Sequence, residues 1–276
     1  MKSLNQYIQE KLIINQRFDE KLIINKNYSD AGLSPKSFNE LRKIIEDRYD
    51  KLGAGTKRKP IDFNDIDVSN IDSFCSKNDI GIFEKTKFKY IDISDWDVSN
   101  IKSTRHMFYE CDELKSVGYL SDWDVSEVTN MSSMFLACEE LESIGDMSKW
   151  NVSKVMYMSY MFCYCKSLNK NLSDWDVSSV TNMGHMFEGC VDFNQNISGW
   201  DVKKVTNMRY MFAGCKYFNQ DISGWNVSNV ENMWNMFFGC KKFNQDISRW
   251  DVSKVRYKID MFYGCPIKEE YKPKFK

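Results

Sequence analysis

The sequence predicts an α/β repeat protein, a solenoid in which each unit of 25–27 residues supplies one short strand and one short helical turn. Three residue types carry this prediction. Tryptophan recurs with separations of 27, 27, 25, 25, 25 and 25 residues from Trp96 to Trp250. A cysteine follows each of these tryptophans by 15 residues, and a Met-Phe pair lies between them. A fixed period of this length indicates a solenoid, a propeller or an array.

The unit at residues 200–224 shows how the elements are assigned. Its apolar residues step by three or four, which predicts one face of a short helix: Val205, Met208, Met211, Phe212 and Cys215. Ile222 is predicted to face inward from a short strand. Neither element can bury its apolar face alone, so the units must stack. We therefore expect Phe187, Phe212 and Phe237 to face the core.

The consensus WDVSxVTNMxxMFxGCxxFNQDIS, seen best at residues 175–198 and 225–248, resembles the repeat of the BspA-type leucine-rich repeat family. The similarity covers about residues 66 to 265. It implies a right-handed leucine-rich-repeat solenoid used for binding rather than catalysis. Members of that family occur in bacterial surface proteins and in some protists and viruses.

The two ends depart from the repeat. Residues 1–60 are predicted to form a separate N-terminal segment, in which EKLIIN occurs at 10–15 and again at 20–25. This segment should contain a helix near 34–52, with Ser34 as N-cap and Pro35 in its first position, then a flexible basic linker. Residues 61–276 should form the solenoid. Its first repeat is degenerate, with Ile66 in the tryptophan position and Cys75 out of register, and a short polar tail follows Pro266.

Composition disfavours several classes of function. The 38 basic and 39 acidic residues give a net charge of −1, which provides no general attraction to nucleic acid. No apolar run is long enough to span a bilayer. The sequence shows neither a signal peptide nor a lipid-anchor cysteine, so we expect a cytoplasmic or virion-associated location rather than a cell-surface one. His106 and His185 are its only histidines, and no catalytic motif occurs, so we expect no enzyme, cofactor or metal site.

Four columns of equivalent residues each allow two interpretations. The cysteines are expected to be buried and reduced rather than zinc-bound or disulfide-linked. The Asp or Asn after each tryptophan should cap the turn with the following Ser, although a calcium ladder is conceivable. The Asn-Gln pairs at 194–195, 219–220 and 244–245 should hydrogen-bond between repeats, the alternative being ligand contact. The tryptophans should pack in the core or at its edge, the alternative being a sugar-binding strip.

The candidate partner-binding residues are Trp234, Tyr210 and Tyr160. They occupy positions that vary between repeats, so we expect them, with Lys203, Lys204, Arg209 and Asn235, to face solvent. The three aromatic residues should form a patch on the helical, convex side. The first functional hypothesis is a non-enzymatic module that binds a protein partner. A second is a structural component of a virion or cell envelope, recruited through the N-terminal segment. A third is carbohydrate binding through the tryptophan column.

Overall fold

The computed structural model describes residues 33–275. From Ser34 onward the chain forms one compact unit. It begins with helix α1 (Phe38–Leu52), followed by strands β1 (Ile61–Asp62) and β2 (Ile91–Asp92), which pair in parallel, and by 3₁₀ helices at Leu120–Asp122 and Glu269–Tyr271. The duplicated EKLIIN segments lie outside the described residues. Within residues 33–275 no helix has the length and apolar character that crossing a membrane requires.

Helix α1 starts later than predicted. Ser37, not Ser34, is the N-cap, and its Oγ accepts a hydrogen bond from the Glu40 N–H at 3.3 Å. The Glu40 carboxylate accepts in turn from the Lys36 N–H at 2.8 Å, which satisfies a second free donor before the helix. Ser34 instead donates its hydroxyl to Asp67. The prediction of Ser34 as the N-cap is wrong. A capping box needs a glutamate or glutamine three residues after the cap, and Glu40 provides it for Ser37, whereas Ser37 stands at that position after Ser34.

Helix α1 lies in the same compact unit as the repeats, against the first of them. Leu41 and Ile45 are fully buried, and the Tyr49 ring meets Phe88 edge-on at 5.0 Å. The predicted flexible linker is held in place by hydrogen bonds. Thr56 and Lys59 each donate an N–H to the other's carbonyl, and the Ala54 carbonyl accepts from the N–H groups of Lys89 and Tyr90. Gly55 has a φ of 75°, and a Cβ there would lie 2.3 Å from the Tyr90 carbonyl oxygen. This glycine therefore serves a close approach of two backbones rather than flexibility.

Successive repeats are joined in parallel at one recurring position, and the first repeats are also joined at a second position, through Tyr90, Ser116 and Ser143. The residues bridged at the recurring position, one to the next, are Ser73, Ser103, Asn130, Tyr157, Asn182, Asn207, Asn232 and Tyr257. The strand expected around Ile222 is absent, and among residues 33–275 only β1 and β2 form an extended ladder. The asparagines favour the observed site because their side chains close a turn, as when Asn207 Oδ1 accepts from the Arg209 N–H at 3.1 Å.

The predicted helical turn of each repeat is a series of tandem β-turns. The N–H groups of Met211, Ala213 and Cys215 donate to the carbonyl three residues earlier. Tyr210 and Gly214 have φ values of 56° and 75°, which interrupts any helix. The spacing of three that suggested a helix is thus also the spacing of consecutive turns. Within the described repeats this segment contains no α-helix.

The remaining N–H groups of these turns bond the repeats together in one direction. Those of Met208, Tyr210, Phe212 and Gly214 donate to Asn232, Trp234, Met236 and Phe238 of the following repeat, at 2.7–2.9 Å. The same pattern recurs at Met233, Asn235, Phe237 and Gly239. In this part of the structure each repeat therefore presents carbonyls to the repeat before it and N–H groups to the repeat after it.

Two aromatic ladders fill the core. Phe187, Phe212 and Phe237 are fully buried, which confirms their predicted inward orientation. The tryptophans from Trp96 to Trp250 are only 3–4% exposed. Their indole N–H groups donate to a carbonyl of the preceding repeat, as from Trp225 Nε1 to Ile197 at 3.1 Å. A buried indole needs such an acceptor, and the ladder supplies one at each step.

The degenerate first repeat, residues 66–95, keeps the core continuous with different side chains. Ile82 and Phe83 occupy the Met-Phe position, and the Phe83 ring stacks on Phe108 at 5.1 Å. Thr86 occupies the cysteine position, with its Oγ1 3.6 Å from Cys111 Sγ. The first repeat therefore departs from the consensus residues but keeps the core contacts, which other apolar and small polar side chains provide.

Candidate functional site

The cysteine column is structural. The thiols are free, and those of the inner repeats are buried. Each donates to the carbonyl of a phenylalanine in the preceding repeat, as from Cys240 Sγ to Phe212 at 2.9 Å. Burial raises the pKa of Cys111 to about 11, and raises that of Cys190 well above its usual value. These thiols are therefore held protonated. In residues 33–275 no three His, Cys, Asp or Glu side chains are grouped to hold a metal ion.

The Asp-Ser column caps turns, as expected, but they are β-turns rather than helices. Asp176 Oδ1 accepts from the Ser178 N–H at 3.0 Å, and Asn226 Oδ1 accepts equivalently from Ser228 at 3.2 Å. Hydrogen bonds from the Ser178 hydroxyl and N–H lower the pKa of Asp176. These oxygens satisfy local N–H groups, which gives the column a structural role.

The Asn-Gln pairs link neighbouring repeats, as the sequence predicts. Asn194 Oδ1 accepts from the Asn219 N–H at 2.9 Å and from Gln220 Nε2 at 3.0 Å. Asn219 Oδ1 repeats this arrangement with Asn244 and Gln245. The tryptophan column offers no exposed ring faces, since its members are stacked 6.3–6.5 Å apart and buried. A sugar cannot stack on rings that are covered on both faces.

Two of the three predicted site residues meet through a histidine. The His185 ring stacks between Tyr160, at 4.1 Å and 10°, and Tyr210, at 4.7 Å and 8°. Trp234 extends this row, with its ring 5.7 Å from Tyr210 and tilted by 56°. We call Tyr160, His185, Tyr210 and Trp234 the aromatic row. His185 was missed as a site residue, although it shares the position of Tyr160 and Tyr210, one residue before the Met-Phe pair.

Backbone conformation aligns the row. Tyr160, His185 and Tyr210 have φ values of 59°, 60° and 56°, an uncommon conformation for residues other than glycine. All three hold it because their N–H groups donate to the next repeat. The patch was predicted on a helix, and this was wrong, because the left-handed residues separate β-turns instead.

Polar contacts fix the row from the side. His185 Nδ1 lies 2.6 Å from Glu188 Oε2, while the Tyr164 hydroxyl donates to Glu188 Oε1 at 3.3 Å. The negative charge of Glu188 is the main reason that the pKa of Tyr164 rises to about 12. The Arg209 side chain passes over Gly184 of the preceding repeat, where there is no side chain to block it. Its Nη2 donates to the Tyr160 hydroxyl, two repeats away, at 3.1 Å. The row is thereby preorganised.

Exposure increases toward Trp234. Tyr160, His185, Arg209 and Tyr210 are half-buried, whereas Trp234 is 39% exposed. Asn235 was expected to face solvent and is instead 9% exposed, because it continues the left-handed position of the row and lies between repeats. Lys203 and Lys204 are exposed, as predicted. The accessible part of the row is therefore its Trp234 end.

These features define a stacked repeat protein with a buried aromatic and thiol core and a rigid aromatic row on its surface. The sequence matches the family described as "Mycoplasma protein of unknown function, DUF285" over residues 78–200 and 165–272, so the chain belongs to that family. This family is associated with BspA-like surface repeat proteins. No curated protein matches the sequence.

Proposed function

We propose that the chain is a right-handed leucine-rich-repeat solenoid of the BspA type and acts as a non-enzymatic module that binds a protein partner through the aromatic row. The parallel joining of every repeat to the next supports the solenoid. The family match supports the relationship to BspA-like repeats. The binding surface is centred on Trp234, with Tyr210 and Tyr160 beside it.

The observation that carries the proposal is the exposed indole of Trp234 at the end of a fixed stack. Tryptophan and tyrosine offer a large contact area with few rotatable bonds, and they dominate the energetics of many protein interfaces. Here the Tyr160–His185–Tyr210 stack is already ordered. A partner would therefore order little beyond Trp234 on binding.

The polar groups around the row favour binding over catalysis. Glu188 is engaged by His185, Tyr164 and Cys163, and Arg209 by Tyr160. Each of these contacts fixes an aromatic or neighbouring side chain. Glu188 and Arg209 therefore support the contact surface.

The test compares Trp234→Ala with Tyr119→Ala, which removes an isolated aromatic that is 71% exposed. Proteins captured by the wild-type chain from an extract of the source cells are identified by mass spectrometry, and one captured protein is purified for titration. We expect Trp234→Ala to weaken its binding by roughly tenfold or more, since interface tryptophans are frequent hot spots. Its melting temperature should stay near the wild-type value. Equal binding by both variants would refute the assignment of the row, as would unfolding caused by Trp234→Ala.

A further inference from the structure

We propose that the exposed edge of the last repeat binds an extended acidic segment of a partner protein. The last repeat comprises residues 250–265. Its edge, called here the C-terminal edge, consists of the N–H groups of Asp260, Phe262 and Gly264 together with the side chains of Ile259 and Tyr263. This surface adjoins the Trp234 end of the aromatic row, because Ile259 occupies the position of Trp234 in the following repeat. It requires a different partner chemistry.

The edge is a row of hydrogen-bond donors. In the preceding repeat the equivalent N–H groups belong to Asn235, Phe237 and Gly239, and they donate to Ile259, Met261 and Tyr263 at 3.0, 2.9 and 2.8 Å. The N–H groups of Asp260, Phe262 and Gly264 have no acceptor among residues 33–275. Because the inner repeats all point these donors toward the following repeat, the last repeat leaves them facing outward. Such a row favours a ligand rich in acceptors.

The side chains beside these donors are apolar. Ile259 is 66% exposed, Tyr263 65% and Tyr257 58%. In the preceding repeat Trp234 and Phe238 occupy the positions of Ile259 and Tyr263, and the Tyr263 ring stacks on Phe238 at 5.2 Å. The exposed apolar surface therefore continues to the end of the stack, whereas the outer faces of terminal repeats are usually polar. Exposed apolar side chains beside outward N–H groups are typical of a surface to which a peptide strand is added.

Charge selects the kind of segment. Between residues 254 and 260, Lys254, Arg256 and Lys258 contribute three positive charges and Asp260 one negative charge, a net of +2. Arg256 pairs with Glu231 at 3.8 Å but keeps 74% of its side-chain surface exposed. Lys254 donates to the Asn229 side-chain oxygen. Carboxylates of the segment would meet these cations and the outward N–H groups. An acidic segment is therefore favoured over a basic one.

The tail that follows Cys265 leaves no room for another repeat to stack on the last one. Ile267 is 6% exposed, and Lys272 Nζ lies 5.8 Å from the centre of the Phe262 ring. The tail thus covers the core of the last repeat, where another repeat would have to stack. A second copy cannot pair through the same edge either, because two rows of N–H donors would face each other. An extended segment needs only the edge.

The test uses a fluorescein-labelled peptide of alternating glutamate and valine, with alternating lysine and valine as the control. Binding to the full chain is measured by fluorescence anisotropy. Ile259→Glu is compared with Ile80→Glu, because both isoleucines lie three residues before the phenylalanine of their repeat and Ile80, in the first repeat, is 40% exposed. We expect the acidic peptide to bind, and Ile259→Glu to weaken it at least tenfold, which corresponds to about 1.4 kcal/mol, because the apolar contact is lost and a like charge is added. Ile80→Glu should bind it as the wild type does.

Amide hydrogen exchange resolved by residue gives the second readout. The acidic peptide should slow exchange at Asp260, Phe262 and Gly264, where its oxygens replace water. The proposal is overturned if the acidic peptide does not bind at millimolar concentration, if the basic peptide binds equally well, or if both glutamate variants behave alike. Protection at Trp234 without protection at these three amides would also overturn it, since the peptide would then occupy the aromatic row.

Discussion

The two ends of the repeat stack are closed in different ways. Just before the first repeat, the carbonyl of Asp62 in β1 faces outward, and Arg48 from α1 donates to it at 2.5 Å. Arg48 also forms a bidentate pair with Asp65 and lies over the Phe63 ring at 5.0 Å. At the last repeat the outward groups are the N–H donors of Asp260, Phe262 and Gly264. No α-helix follows the last repeat within the described residues.

The difference follows from the direction of the hydrogen bonds. In the turn segments the N–H groups point toward the following repeat, so these segments end in acceptors at one side of the stack and in donors at the other. Just before the turns the direction is reversed, as where the Thr206 and Glu231 N–H groups donate to the Thr181 and Thr206 carbonyls of the preceding repeat. An arginine-bearing helix suits the acceptor end, because guanidinium groups only donate. The donor end needs acceptors, and the tail covers its apolar core instead. The two ends of the stack therefore require different caps, although the repeats between them are alike.

The largest expected effects come from truncating the phenylalanine ladder. Phe83 is fully buried and contacts Phe63, Phe88, Trp96 and Phe108. Phe83→Ala should therefore cost about 3 to 5 kcal/mol of unfolding free energy, as should Phe212→Ala in the interior. Phe262 is half-buried, with Phe237 as its ring partner at 5.8 Å, so Phe262→Ala should cost about 1 to 2 kcal/mol. Denaturant titration measures all three. Equal costs at Phe83 and Phe262 would contradict the difference between the ends.

Alkaline pH should destabilise the protein through its thiols. Burial raises the pKa of Cys111 from 9.0 to about 11. The unfolded chain then releases this proton at lower pH than the folded one, so stability is full below pH 9 and falls as the pH rises toward 11. For Cys111 alone the loss should approach about 2 to 3 kcal/mol. Cys111→Ser should remove more of the pH-dependent loss than Cys265→Ser, since Cys265 is only half-buried. Thermal melts at pH 8, 9 and 10 would show this, and identical slopes would argue against it.

Removing the arginine cap should destabilise the first repeat. Arg48→Ala leaves the Asp62 carbonyl and the half-exposed Asp65 carboxylate without this donor, so we expect a loss of about 2 kcal/mol. Arg42 also donates to a backbone carbonyl, that of Gly81, but its side chain is more exposed, so Arg42→Ala should cost about 1 kcal/mol. Chemical denaturation compares the two. A larger effect from Arg42 would mean that the Asp62 carbonyl is not the critical outward group.

Thiol labelling should separate the ends from the interior. Cys75 and Cys265, in the first and last repeats, are half-buried, whereas Cys190, Cys215 and Cys240 are buried. Alkylation of the native protein, followed by mass spectrometry, should therefore modify the two terminal cysteines first. The inner cysteines should react only after denaturant is added. Rapid native labelling of Cys215 would show that the ladder opens locally.

The period of the sequence predicted the core because a buried position must accept the same kind of side chain in every repeat. Phe212 and Cys215 therefore recur, and both are buried. The turns could not be predicted in the same way. A spacing of three fits a helix as well as consecutive β-turns, and nothing in the identity of Tyr210 announces a positive φ.

The cap and the site show the same limit. Leu41 and Ile45 are buried as apolar residues on one face of α1, and Arg48 is buried as well. The sequence does not indicate the burial of Arg48, because a buried arginine depends on acceptors that are distant in sequence. Trp234, Tyr210 and Tyr160 were identified from their variable positions. His185 was not, since its role comes from stacking between two repeats.

Amide hydrogen exchange of the free protein, resolved by residue, tests most directly whether the stack has this polarity. Asn235, Phe237 and Gly239 should exchange slowly, because their N–H groups bond to the last repeat. Asp260, Phe262 and Gly264, at equivalent positions, should exchange nearly as fast as amides of an unfolded chain. Phe83 lies in the first repeat and donates its N–H to Met107 of the second, so its amide should be protected like those of the interior. Equal protection of the two C-terminal sets, or rapid exchange at Phe83, would contradict the account.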